Sequence, residues 1–176
     1  MRFVDFLRSA VLLCAGAATT LAAVTVVASG SSATGDILVL AIAGWWLVAG
    51  LIGAWLGRRV ETNSPIARLL ASAKSTTSLP EQRAGSLLLN RMWPLLVSTV
   101  LALALGFFAP QVPGIATGFA IIAALAWRRQ EAAVSAIEER DGVAFYVERT
   151  PPLKPIKLIR APGFRRDLVS MNGAAR

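Results

Sequence analysis

Long stretches without a charged residue constrain this chain most. Residues 9–29 and 37–56 contain no Asp, Glu, Lys or Arg. A helix of about 20 residues is about 30 Å long, which matches the hydrocarbon thickness of a bilayer. The whole chain is 55% hydrophobic and only 16% charged, which is too little charge for the surface of a water-soluble domain. The sequence therefore predicts an integral membrane protein whose first two spans form a hairpin.

A second apolar block predicts two further spans. Residues 94–127 are also uncharged, and Pro110 and Pro113 interrupt helical continuity near the middle. We expect spans at about 94–109 and 112–127, each somewhat shorter than the hydrocarbon layer. A single re-entrant dip is the alternative for this block. The expected fold is an all-α membrane protein in which four transmembrane helices form two antiparallel hairpins.

The charged residues flank the spans asymmetrically. If the N-terminus, the linker at 57–93 and the C-terminal region share one side, that side carries all 18 basic and 9 of the 10 acidic residues. Asp36 alone lies on the other side, so the positive-inside rule makes the basic side cytoplasmic. Alanine-rich spans and a preference for Arg over Lys are typical of a GC-rich bacterium. We predict a bacterial inner-membrane protein with both termini in the cytoplasm, divided into segments 1–56, 57–93, 94–127 and 128–176.

The first span has one alternative role. Residues 1–8 form a short basic start like that of a secretory signal peptide, and Val26, Val27 and Ala28 have the character of a cleavage site. The apolar run that follows is longer than the roughly 7 to 15 residues usual for such a peptide. This length favours a retained helix over a cleaved one.

The linker contains a helical pattern of its own. Ser64 and Pro65 are favourable residues for the start of a helix. The apolar residues that follow fall on one face, so we expect a short cytoplasmic helix lying on the membrane surface. These apolar residues are Ile66, Leu69, Leu70 and Ala73.

The C-terminal region predicts a helix and then two short strands. Residues 128–140 keep helical spacing and Gly142 supplies a stop, so the fourth span is expected to extend into the cytoplasm. Residues 143–148 and 156–159 are apolar, with β-branched and aromatic side chains, and predict a small β-hairpin-like unit. The carboxylates of the helix are expected to form a solvated, ion-paired face; they are Glu131, Glu138, Glu139 and Asp141.

The tail after the helix is strongly basic. Six basic and no acidic residues occur between positions 149 and 166, interleaved with apolar residues. This charge is expected to bind anionic lipid headgroups or a cytoplasmic protein partner, or only to enforce topology. Nucleic acid is a weaker candidate, because few aromatic residues accompany the charge and no RNA-binding or DNA-binding motif surrounds them. The candidate contact residues are Arg149, Lys154, Lys157, Arg160, Arg165 and Arg166.

Small residues in the second and fourth spans predict close packing of helices. Gly53 and Gly57 form a GxxxG pattern, Gly114 and Gly118 form another, and Gly50 lies one turn before the first. We expect these glycines to pack helices within the bundle. A seam between two copies of the chain, and hence a homo-oligomer, is the alternative.

The chemistry available to the chain is narrow. It has no His and one Cys, which excludes an imidazole or thiolate metal cluster, an internal disulfide and a His-based proton relay. No ionisable residue lies inside the predicted spans, which disfavours proton-coupled transport. No P-loop, GxSxG, HExxH or CxxC motif occurs, so we predict neither enzymatic activity nor a cofactor. The predicted role is a structural or accessory membrane component, and a small channel or transporter subunit is the alternative.

Overall fold

The computed structural model describes residues 1–29, 35–58, 64–75, 84–109, 111–148, 150–151 and 156–162. These ranges form a mostly helical protein with a small mixed sheet, which agrees with the helical class predicted from sequence. The elements are α1 (Phe3–Ser29), α2 (Gly35–Leu56), α3 (Ser64–Ala71), β1 (Lys74–Ser75), α4 (Ala84–Gly106), α5 (Gln111–Trp127), α6 (Gln130–Asp141), β2 (Val143–Val147) and β3 (Leu158–Pro162).

Within the described residues, three helices are long and apolar enough to cross a membrane. They are Phe3–Ser29, Ile37–Leu56 and Gly85–Gly106. The predicted spans at 9–29 and 37–56 lie within the first two helices, and α1 extends further toward the N-terminus. By their length and composition, these helices are compatible with a membrane protein.

The third predicted span differs in its bounds. The helix begins at Ala84 rather than at Pro94, continues through Pro94 and ends at Gly106. A proline inside a helix removes one backbone hydrogen bond, a loss that membrane helices tolerate when neighbouring groups compensate. The leucines at 87–89 are good helix formers and continue the helix on the N-terminal side of the proline. With its 23 residues, α4 is long enough to cross the hydrocarbon layer, whereas α5 has 17 residues and is about 26 Å long.

α5 is the central helix of the bundle. It packs against α1, α2 and α4, whereas α1 and α2 barely touch each other. The main packing partner of α2 is therefore α5, which is distant in sequence, and not its neighbour α1. The close α2–α5 contact depends on residues without a side chain.

Four of the five predicted packing glycines lie in this α2–α5 contact. A Cβ atom on Gly53 would lie 2.9 Å from Cβ of Leu125, and one on Gly57 would overlap the Leu125 carbonyl oxygen. A Cβ on Gly114 would lie 2.9 Å from Cδ1 of Ile42. One on Gly118 would overlap the Trp45 indole. A Cβ on Gly50, in contrast, would meet no atom within 4 Å.

Two tryptophans tie the same helices together. The indole N–H of Trp45 donates to the Ile115 carbonyl oxygen at 3.1 Å, and that of Trp46 donates to the Gly114 carbonyl oxygen at 2.8 Å. The ring of Trp45 also makes an edge-on contact with Phe119, with centroids 5.5 Å apart. These indoles therefore fill the space between α2 and α5 and satisfy their polar atoms there.

A second folded unit closes one end of the bundle. Its core combines residues from the start of α1 with residues of α3, α6, β2 and β3, and Leu88 and Met92 of α4 pack against it. We call this unit, made of the start of α1, α3, α6 and the three strands, the end module. Its core residues are Phe3, Phe6, Leu7, Ile66, Val134, Phe145, Val147 and Leu158.

The sheet of the end module contains the two predicted strands, the second of them shifted from 156–159 to Leu158–Pro162, and one strand that was not predicted. β2 and β3 pair antiparallel, with Val143 opposite Pro162 and Val147 opposite Leu158. β1 pairs parallel with β3 on its other side, which makes the order β1-β3-β2. Arg2 forms an isolated antiparallel bridge with Tyr146, so the N-terminus covers the outer edge of β2.

Two expectations about the helices around this unit were wrong. The apolar face of α3 packs onto the module core, where Ile66 is buried, rather than being left to cover the membrane surface. The fourth predicted span does not continue into α6, because a turn at Arg128 and Arg129 separates α5 from it. Val134 of α6 belongs to the module core. α6 then ends where predicted, at Gly142, whose left-handed backbone has a φ of 63°.

We expect Gly57→Ala to destabilise the bundle by about 1–3 kcal/mol, because the added methyl group meets a backbone oxygen that cannot move aside independently. Gly50→Ala is the matched control, and its extra methyl group meets open space. Reversible unfolding in mixed micelles, titrated with sodium dodecyl sulfate, measures both variants against the parent chain. Equal stability of the two variants would contradict the close contact between α2 and α5.

Candidate functional site on the end module

Two of the six predicted basic contact residues lie in the described part of the end module. Lys157 and Arg160 are exposed, the first directly before β3 and the second within it. The backbone carbonyl of Lys157 accepts a hydrogen bond from the Glu148 N–H at 2.9 Å, which continues the β2–β3 ladder by one residue. Arg149, Lys154, Arg165 and Arg166 lie outside the described residues.

The sheet adds a cation that the sequence did not predict. β1 runs beside β3 with Lys74 opposite Ile159 and Ser75 opposite Arg160, so exposed Lys74 lies on the strand next to the one that carries Arg160. We call Lys74, Lys157 and Arg160 the cationic edge. Its members come from segments more than 80 residues apart, and a two-residue strand has no sequence pattern that would have indicated the pairing.

An ion pair holds the N-terminus against this unit. The guanidinium of Arg2 lies 2.5 Å from Oε2 of Glu138, and the Phe145 N–H donates to Oε1 of the same carboxylate at 2.8 Å. The Glu138 side chain is 4% exposed and that of Arg2 is 52% exposed. Hydrogen bonding to Glu138, together with its charge, raises the pKa of Arg2. The Val147 N–H also donates to the Met1 carbonyl oxygen at 3.2 Å.

This arrangement corrects the prediction of a wholly solvated acidic face on α6. Glu138 is buried and bonded, whereas Glu139 and Asp141 are exposed. Among the described residues, the Arg140–Asp141 pair, with Nε and Oδ1 2.9 Å apart, has the exposed character that was expected. The Arg140 guanidinium lowers the pKa of the Asp141 carboxyl group by hydrogen bonding to it.

The start of α4 is tied to the chain that follows β2. The Asn90 side chain donates to the Thr150 carbonyl oxygen at 3.1 Å, and the Arg91 guanidinium donates to the Thr150 hydroxyl group. Thr150 itself is buried. The end module is therefore fastened to the helices at two separate places, through the start of α1 and through the start of α4.

A cavity of ≈ 270 Å³ lies at the opposite end of α1, between α1 and α2. The hydroxyl groups of Thr25 and Ser29 both donate to carbonyl oxygens of their own helix, at 2.8 and 2.7 Å. No ionisable side chain lines the cavity, and the described residues contain no cluster of His, Cys, Asp or Glu that could hold a metal ion. The lining residues are Thr25, Val26, Ser29, Val39, Ile42, Ala43 and Trp46.

Comparisons with protein-family models, with curated proteins and with solved structures find no match to this chain. The features of the described residues that bear on function are the exposed cationic edge, the fold that carries it, and the helices that anchor this fold.

We expect Arg2→Ala to weaken the end module by about 1–2 kcal/mol, because it removes the partner of a buried carboxylate but leaves the Phe145 N–H bonded. Hydrogen–deuterium exchange of the β2 amides measures this loss as reduced protection. Arg140→Ala is the control, because its ion pair joins two adjacent residues and the Arg140 side chain is 74% exposed. The same protection in both variants would refute a stabilising role for the Arg2–Glu138 pair.

Proposed function

We propose that this chain is a non-enzymatic accessory protein of a bacterial inner membrane, which presents a rigid cationic docking surface to the cytoplasm. In this proposal four helices span the bilayer as an antiparallel bundle, and both termini lie in the cytoplasm. The cationic edge of the end module binds an acidic surface of a protein partner. The observation that carries the proposal is the folding of widely separated segments into one unit that exposes Lys74, Lys157 and Arg160 at the end of the helices.

The four-span topology is supported by which helix ends meet. α1 and α4 begin at the end module, since Phe3 lies in its core and Met92 packs against it. α2 and α5 end near each other, because the Arg129 guanidinium donates to the Arg58 carbonyl oxygen at 3.1 Å. At the far end, a Cβ on Gly106 would lie 3.0 Å from Cγ of Pro113. An antiparallel bundle with one basic side follows if α5 also crosses the membrane.

The retention of α1 is supported by what its removal would do. Phe3, Phe6 and Leu7 each have 2% or less of their surface exposed and belong to the module core. Cleavage of the first span as a signal peptide would remove these three core residues. It would also remove the N-terminal residues that cover the outer edge of β2. A helix that supplies part of a folded core is best explained as a permanent part of the protein.

A protein partner fits the end module better than simple adhesion to lipid. A polybasic segment binds anionic lipid through charge alone and needs no fixed fold. Fixed positions of charge matter instead where two folded surfaces must meet in one register, because complementary charges steer the encounter and exclude wrong partners. The cationic edge is held by strand pairing and by a buried core, as a docking surface requires.

We expect an alkaline phosphatase reporter fused after Phe108 to be active in the periplasm, and one fused after Pro162 to be inactive. Green fluorescent protein fused at the same two positions gives the opposite pattern, since it fluoresces only in the cytoplasm. The physical reason is the excess of Lys and Arg on one side of the spans. An active phosphatase after Pro162 would contradict the topology, and activity at neither position would indicate a re-entrant second block.

We expect Lys157→Gln combined with Arg160→Gln to reduce capture of a cytoplasmic protein at least about fivefold, because each exposed charge adds to electrostatic attraction. A photo-crosslinking amino acid at Ser75, beside Arg160, captures the partner in intact cells. The charge-matched control is Arg58→Gln combined with Arg128→Gln, which leaves the sheet intact. Crosslinks that reach only lipid, or capture that survives the first double substitution, would exclude the docking function. Solute flux through liposomes containing the purified chain would instead support the channel or transporter alternative.

A further inference from the structure

Arginines follow the ends of two neighbouring helices. α2 ends at Leu56 and is followed by Arg58, and α5 ends at Trp127 and is followed by Arg128 and Arg129. The two helix ends are in direct contact, since a Cβ on Gly57 would overlap the Leu125 carbonyl oxygen. Three cations that repel one another are therefore held at one place on the bundle.

Only one of these cations has a role within the described structure. The Arg129 guanidinium donates to the Arg58 carbonyl oxygen at 3.1 Å and so caps the end of the α2 segment. The ion pairs of the described residues include neither Arg58 nor Arg128. Glu131 lies one turn beyond Arg128 and forms no ion pair with it in this part of the chain. Within the described residues, two exposed guanidinium groups therefore have no ion-pair partner.

The location of these groups indicates what anion would reach them. Trp55 and Trp127 lie in the last turns of α2 and α5 and are 66% and 42% exposed. Exposed indoles at the ends of membrane helices are typical of the layer in which lipid headgroups lie. Arginines just beyond that layer meet the phosphates of the inner leaflet, and basic pockets between spanning helices on this side are suited to anionic headgroups.

We propose that Arg58 and Arg128 bind the headgroup of an anionic phospholipid with two phosphodiesters, such as diphosphatidylglycerol. The planar guanidinium presents two parallel N–H donors that match the oxygens of one phosphate. Two guanidinium groups on adjoining helices therefore match a headgroup with two phosphates better than a headgroup with one phosphate. The lipid also neutralises the repulsion at the α2–α5 contact. This inference rests on the four-span topology proposed above, but not on the protein partner.

The test uses the full chain, stripped of lipid in a neutral detergent, and native mass spectrometry of its lipid adducts. We expect diphosphatidylglycerol to bind about tenfold more tightly than phosphatidylglycerol, and phosphatidylcholine to bind weakest. Arg58→Gln combined with Arg128→Gln should lower the affinity for diphosphatidylglycerol at least about tenfold. Lys157→Gln combined with Arg160→Gln removes the same charge from the end module and should change the affinity less than about twofold.

A second pair of variants separates the shape of the donor from its charge. Arg58→Lys combined with Arg128→Lys keeps both charges but loses the paired N–H donors, so its affinity should fall between those of the parent chain and the Gln variant. Thermal unfolding without added lipid shows that each variant is folded. An equal loss in the two Gln double variants, or equal binding of the one-phosphate and two-phosphate lipids, would overturn the proposal.

The same variants distinguish this inference from the docking function. Substitution of the arginines at the helix ends should abolish lipid selectivity and leave capture of the partner in cells normal. Substitution within the cationic edge should reduce capture of the partner and leave lipid selectivity intact. A reporter that reversed the topology would undermine both proposals, because the arginines would then face the outer leaflet.

Discussion

The burial of the first helical turns of α1 in the end module is the interaction on which the structure most depends. Phe3, Phe6 and Leu7 belong to a long apolar helix, yet they supply the centre of a core shared with α3, α6 and two strands. Burying a large apolar side chain contributes about 1.5–3 kcal/mol. The helix bundle and the end module are therefore one cooperative structure rather than two units joined by a linker.

A second constraint is the central position of α5. This helix can contact three others because its small residues, and those of α2, allow the backbones to approach closely. The indoles of Trp45 and Trp46 then use carbonyl oxygens of α5 as acceptors, which places polar atoms inside the bundle without an unsatisfied group. The positions of the glycines, and not the order of the helices in the chain, therefore determine which helices pack together.

Much of the helical architecture could be predicted from the sequence, because an uncharged run of about 20 residues has few stable alternatives in a bilayer. The β2–β3 pair was also predictable from its short apolar runs with β-branched and aromatic residues. Pairings between residues far apart in the sequence could not be predicted. β1 has two residues and no pattern, and Glu138 looks like any solvated carboxylate until the chain brings Arg2 beside it. The start of α4 was misjudged because a proline usually ends a helix in water but is tolerated in a membrane span.

The pairing of Arg2 with Glu138 joins residues 136 positions apart, so the start of α1 is fixed only when α6 is in place. During synthesis the first turns of α1 emerge from the ribosome long before the strands that cover them. The end module can therefore assemble only after α1, α2, α4 and α5 have been made, because β3 follows them all in the chain. Its completion then requires that the start of α1 reach this position across all the intervening helices.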